Sequence, residues 1–203
     1  MDAVPVATRE AHWEGGVSPF GVSWQKLMMW VFLVSDALLF ASLLAAYGFV
    51  RLASASWPEQ SEVFPIPLIA FMTFVLITSS ATMATAVGAA HRGELRTAAR
   101  FVGFTALGGL LFLGLQANEW AHLIADGARL AWNPWGPPAF AAFFFTITGF
   151  HGTHVFLGVT ILSLLAWRLR RGRATGAGVE LAGLYWHFVD LVWVFIFTCF
   201  YLL

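Results

Sequence analysis

Two histidines three residues apart, His151 and His154, lie inside the apolar stretch Phe145-Thr-Ile-Thr-Gly149-Phe-His151-Gly-Thr-His154-Val-Phe-Leu-Gly158. Asp36 interrupts a second such stretch, Met29-Trp-Val-Phe-Leu-Val-Ser-Asp36-Ala-Leu-Leu-Phe40, and His187 and Asp190 interrupt a third, Tyr185-Trp186-His187-Phe-Val-Asp190-Leu-Val-Trp193. An ionisable group at membrane depth costs a few kcal/mol or more, so such groups mark sites by default. Four chemistries suit these residue types: mutually satisfied polar pairs that fix helix register, a proton relay, a lipid-headgroup site, and a metal or heme site.

The heme and metal readings fit the spacing poorly. A b-type cytochrome needs histidines facing each other across two helices. Here His151 and His154 share one helix, and His187 lies ~11 to 15 Å deeper on another at ~1.5 Å per residue. His151, His154 and a carboxylate lack a clear third ligand for copper or zinc. No nucleotide loop, nucleophile–base motif or redox Cys pair occurs. The single cysteine, Cys199, excludes an internal disulfide.

The elements that must carry these groups are membrane spans. The 203 residues are 59% hydrophobic and 11% charged, against about a quarter charged in soluble domains. The pattern predicts an all-α, polytopic membrane protein, a bundle of five transmembrane helices at about 27–50, 65–90, 98–124, 139–167 and 181–203. Residues 1–26 read as an N-terminal arm, cytoplasmic or interfacial, with Trp13, Phe20 and Trp24 suited to headgroup level. That arm lacks an apolar h-region, so no cleavable signal is expected. Net charge is zero, and nothing points to nucleic acid.

Small residues suggest where helices meet. Ala37, Ala41 and Ala45 form a small-xxx-small stripe suited to close helix packing. The second half of the second span, Thr78 to Ala90, is small on every side, which predicts a helix surrounded by others. Pro65 and Pro67 fit a first helical turn.

Orientation follows from the positive-inside rule. With the N-terminus inside, nine of the eleven basic residues fall on the inner side and only Arg51 and Arg129 on the outer. Five spans then leave the C-terminus outside. Arg92, Arg96, Arg100, Arg168 and Arg171 are candidates for gripping lipid phosphates. Counting ~1.5 Å per residue from the basic ends puts Asp36, His187 and Asp190 in one inner layer at ~15 Å. Glu119 and His151 form an outer layer at ~25 to 28 Å, with His154 between the two.

With these motifs set out, and Gln116-Ala-Asn-Glu119-Trp120 beside them, the chain resembles subunit III of the heme–copper terminal oxidases, the cytochrome c and quinol oxidases. The resemblance covers all five spans. It differs from most relatives at Asp36, where they carry Glu, a buried carboxylate known for reacting with carbodiimide. It resembles the short form of the family, which lacks the first two of seven spans.

The resemblance implies an accessory subunit of a proton-pumping oxidase in the aerobic respiratory chain. Such a chain has no catalytic residue, no metal and no cofactor of its own. Heme and copper are expected in partner subunits. It implies direct packing on subunit I, with subunit II and a small subunit IV nearby. Phospholipid is expected in a cleft, along with a supporting role in proton uptake and sustained turnover. The location implied is the inner (cytoplasmic) membrane of a prokaryote. In this reading Asp36, Glu119, His151, His154, His187 and Asp190 are buried polar, proton-linked groups. The competitors are a related subunit of a nitric oxide reductase and, in a different class, a standalone proton or ion transporter.

Overall fold

The computed structural model describes residues 21–203. The part of the arm carrying Trp13 and Phe20 lies outside the described residues.

Five long helices make up almost all of what is described: α1 (Trp24–Ala53), α2 (Ile66–His91), α3 (Leu95–Ala125), α4 (Pro138–Arg170) and α5 (Gly176–Phe197). All five are long and apolar enough to cross a membrane. A π-helical turn, Thr198–Leu202, continues α5, and a single turn, Gln60–Val63, precedes α2.

The ends have local causes. The Ser23 side chain caps α1 by accepting from the Lys26 backbone N–H at 3.3 Å. Pro67 sits in the first turn of α2 and Pro138 opens α4, positions where the missing N–H costs little. Gly93, Gly127 and Gly172 take positive φ just after α2, α3 and α4, where a side chain would be strained. In the α3–α4 loop the Asn133 carboxamide accepts from the Trp135 and Gly136 N–H groups and donates to Pro137 O, fixing the turn into α4.

Four helices form the body. α2 packs on α3 and α5, α3 on α4, and α4 on α5, while α1 lies against α4 and α5 from one side. Trp186 of α5 sits at the centre of the body, 1% exposed. Its indole N–H donates to Ser79 Oγ of α2 at 3.1 Å. Its ring occupies the space that side chains would take at Gly109 of α3 and Gly158 of α4. A Cβ at Gly109 would lie 2.5 Å from both Trp186 Cη2 and Val159 Cγ2, and one at Gly158 2.9 Å from the Trp186 ring. One residue thus ties together all four helices of the body. Two turns along, Trp193 donates to Thr73 Oγ1 of α2 at 3.0 Å and packs edge-on against Phe112 of α3.

Two small-residue faces are left open by this chain. Thr78, Ala81, Ala84 and Thr85 leave one face of α2 open, so the described helices of this chain do not by themselves surround it. Ala37, Ala41 and Ala45 are also exposed and meet no helix of this chain along their stripe; they line an open groove beside α5. Small residues permit close approach, but their pattern does not say whether the approaching element belongs to the same chain.

Two substitutions test this packing. Gly109→Ala is expected to cost about 1–3 kcal/mol through overpacking against Trp186 and Val159, seen as a lower melting temperature in detergent. Gly114→Ala, which meets nothing within 4 Å, is expected to leave it unchanged. Thr73→Val keeps the shape but orphans the Trp193 N–H, and is expected to cost about 1–3 kcal/mol in the same assay.

Candidate functional site

The acids and histidines inside the membrane body among the described residues fall into four separate clusters, each spanning two elements. Asp36 of α1 and His154 of α4 form the first; they are 7% and 8% exposed. His154 Nε2 faces Asp36 Oδ2 at 3.4 Å, off-line for a good hydrogen bond. His154 Nδ1 lies 2.9 Å from Phe150 O. A carbonyl can only accept, so Nδ1 carries a proton. Nε2 and the carboxylate would then be two acceptors face to face unless one more proton sits on one of them. The pair is satisfied either as carboxylic acid with imidazole or as carboxylate with imidazolium. Both arrangements are net neutral, as the low-dielectric surroundings favour. Phe40 and Phe150 pack edge-on to the His154 ring at 5.6 and 4.6 Å, and the Tyr185 hydroxyl donates to His154 O at 3.0 Å.

His151, one turn away on the same helix, is fully buried and looks elsewhere. Its Nε2 donates to Val189 O of α5 at 3.2 Å, and its ring lies between Trp193 and Phe112. Glu119 of α3 is 2% exposed and accepts from the Tyr201 hydroxyl at 2.9 Å. It lines a cavity of about 350 Å³ together with His122 and Asp126. His187 of α5 is half-buried; its Nδ1 meets Ser80 Oγ of α2 at 2.6 Å, and the same hydroxyl lies against Asp190.

The expected layers therefore do not form as drawn. Asp36 pairs with His154 rather than with His187 or Asp190, and Glu119 pairs with Tyr201 rather than with His151. Counting rise along each helix gives depth but not direction. Asp36 faces α4, whereas the His187 and Asp190 face of α5 turns to α2. His151 and His154 aim at different neighbours, and among the described residues no three His, Cys, Asp or Glu side chains are grouped to hold a metal ion.

Tyr201, Tyr185 and Ser80 are site residues that the sequence reading missed. Their signal was available, since a phenol or hydroxyl within an apolar span needs a partner just as a carboxylate does. Also missed is the ion pair of Lys26 with Glu180, which joins α1 to α5 at 2.5 Å. Opposite charges at the same end of two spans were the clue.

The five arginines expected to grip lipid stand in four settings. Arg92 donates to Glu94 at 2.9 Å, and that bond holds the exposed Glu94 carboxyl below its ordinary range. Arg171 stacks on Trp167 at 4.4 Å. Arg96 and Arg100 stand exposed on the first turns of α3. Arg168 lines a groove of about 800 Å³ between α1, α4 and α5, whose walls include Met28, Phe32, Leu157 and Tyr185.

Known proteins carry a similar sequence. The family described as cytochrome c oxidase subunit III matches residues 6–203. The cytochrome bo(3) ubiquinol oxidase subunit 3 of Pseudomonas aeruginosa is 36% identical over 198 residues, covering 95% of this chain and 88% of its own. The quinol oxidase subunit 3 of Bacillus spizizenii is 37% identical, with 87% and 86% covered. The cytochrome c oxidase subunit 3 of Bacillus sp. (strain PS3) is 36% identical, with 87% and 84% covered. The match spans every helix that carries the buried acids and histidines, and on that extent the chain belongs to the cytochrome c oxidase subunit III family.

Proposed function

We propose that this chain is the non-redox accessory subunit of a heme–copper terminal oxidase, packing on the subunit that holds heme and copper and supporting its proton uptake and sustained turnover. The observation that carries the reading is the inward engagement of the membrane-depth acids and histidines. Asp36 faces His154, Glu119 accepts from Tyr201, and His151 donates to Val189 O. Groups spent on holding helices together suit a scaffold better than a relay or a redox centre. Relatives named for quinol and for cytochrome c match about equally well, so the reading covers both electron donors.

In this reading subunit I is the direct partner, with subunit II and a small subunit IV in the same complex. The membrane is the inner membrane of a prokaryote, with the N-terminus inside. The basic ends of α2, α4 and the start of α3 then face the cytoplasm. Arg168 is the arginine best placed to hold a lipid phosphate, because a largely apolar groove of about 800 Å³ opens beside it. Arg92 and Arg171 are engaged by Glu94 and Trp167.

Purification of the tagged chain in mild detergent tests the assembly. Heme and copper are expected to co-purify, and the chain stripped of its partners is expected to be colourless. Heme with iron but no copper would point to a nitric oxide reductase. Heme retained by the stripped chain, or no coloured partner at all, would overturn the proposal. For the lipid, Arg168→Gln is expected to lower co-purified anionic phospholipid several-fold by mass spectrometry, and Arg92→Gln to leave it unchanged. Equal loss from both would remove Arg168 from the site.

A further inference from the structure

Glu119, His122 and Asp126 follow one another at three and four residues along the end of α3, so they share one face. That face walls the cavity of about 350 Å³, whose other side is Val63, Pro65 and Leu68. A cavity of this size falls within the ~300–1,000 Å³ range of small-ligand sites. The 31 residues of α3 span ~46 Å at ~1.5 Å each, against ~30 Å of hydrocarbon, so its last turns reach headgroup level.

The ionisable groups of this wall are short of donors. Glu119 is 2% exposed; Tyr201 donates to its Oε1, and its Oε2 has no hydrogen-bond partner. As a carboxylate it is a buried charge without a cation, and as an acid it buries an O–H without an acceptor, so either form is one partner short. His122 Nδ1 lies 2.8 Å from Asn118 O and therefore carries a proton, which leaves Nε2 of the neutral ring as an acceptor. The Asp126 carboxylate makes no hydrogen bond or ion pair among the described residues. The two arginines at this end of the bundle do not answer these groups. Arg129 donates to Ile124 O and Ala128 O, and Arg51 donates to Leu203 O.

Two carboxyl groups and an imidazole acceptor in one cavity call for a ligand that is cationic and donates several hydrogen bonds. Among the described residues these side chains are not grouped to hold a metal ion. A primary ammonium supplies the charge and three N–H donors on one atom. We propose that this cavity takes a primary ammonium group, with Glu119 at its floor and Asp126 at its mouth, and that the source is an aminophospholipid headgroup. The depth of the site and its apolar side at Val63, Pro65 and Leu68 select the lipid over an amine dissolved in water. This site lies at the opposite end of the bundle from the Arg168 groove, and its ligand is recognised by the opposite charge.

Lipid exchange tests the site. The tagged chain, with the partners it brings, is reconstituted in nanodiscs holding equal phosphatidylethanolamine and phosphatidylcholine, and retained lipid is counted by mass spectrometry after detergent transfer. The two headgroups differ by three N-methyl groups, which remove every N–H donor. Phosphatidylethanolamine is expected to be retained several-fold over phosphatidylcholine. Asp126→Asn, on the exposed rim, and Glu119→Gln are expected to abolish that preference, and Glu62→Gln, an exposed acid outside the cavity, to keep it. Ethanolamine added to the washed complex is expected to displace the retained lipid. Equal retention of the two lipids, a preference that persists in both cavity variants, or equal loss in Glu62→Gln would overturn the site. Binding of ethanolamine without any preference for phosphatidylethanolamine would overturn the lipid source. None of these outcomes touches the accessory-subunit reading, which stands or falls on co-purified heme and copper.

Discussion

A hydrogen-bonding group at hydrocarbon depth has no water to turn to, and that constraint decides how these helices meet. Trp186 expresses it most fully. Its N–H needs an acceptor and finds Ser79 on α2, and its ring needs room and finds Gly109 on α3 and Gly158 on α4. Trp193 with Thr73, Tyr185 with His154 O, and His151 with Val189 O repeat the arrangement at other heights. Apolar packing alone gives membrane helices little preference over lipid, so these directional contacts, with the close fit at the glycines, supply the register.

α1 obeys the same constraint with less apolar help. Among the described residues it packs mainly on α4 and α5, and much of its surface is open. Its attachments are polar and spaced along its length. Lys26 meets Glu180 at one end, Asp36 meets His154 inside the membrane, and Arg51 donates to the Leu203 backbone carbonyl at the other end. A helix held this way keeps a wide face free for another chain. That freedom suits an element whose remaining surface is completed by assembly rather than by its own fold.

The five helices were legible because apolar length alone predicts them, and the ends differ by a few residues because capped helices run past the apolar core. The buried acids and histidines were legible as anomalies of type. Their partners were not. Rise per residue places Asp36 at the level of Asp190, yet helix rotation turns Asp36 to α4 and Asp190 to α2. Tyr201 escaped notice because a tyrosine near a span end reads as an interface residue, although here it is buried against Glu119. The Ala37–Ala41–Ala45 stripe reads as a close-packing face, but small residues do not name the helix they await. Trp186 and Trp193 depart from the usual belt placement of tryptophan, and their place in the middle of a span was the sign of a core role.

The Asp36–His154 pair concentrates the account, since it is the only contact between ionisable side chains that ties α1 to the body inside the membrane among the described residues. A double-mutant cycle on thermal stability in nanodiscs measures it directly, with Asp36→Asn, His154→Gln and the two combined. The pairing predicts a coupling on the order of 1 kcal/mol between positions 36 and 154, and none between Asp36→Asn and His187→Gln. Additive effects at 36 and 154, with coupling appearing between 36 and 187 instead, would contradict it and restore the layer read from depth alone.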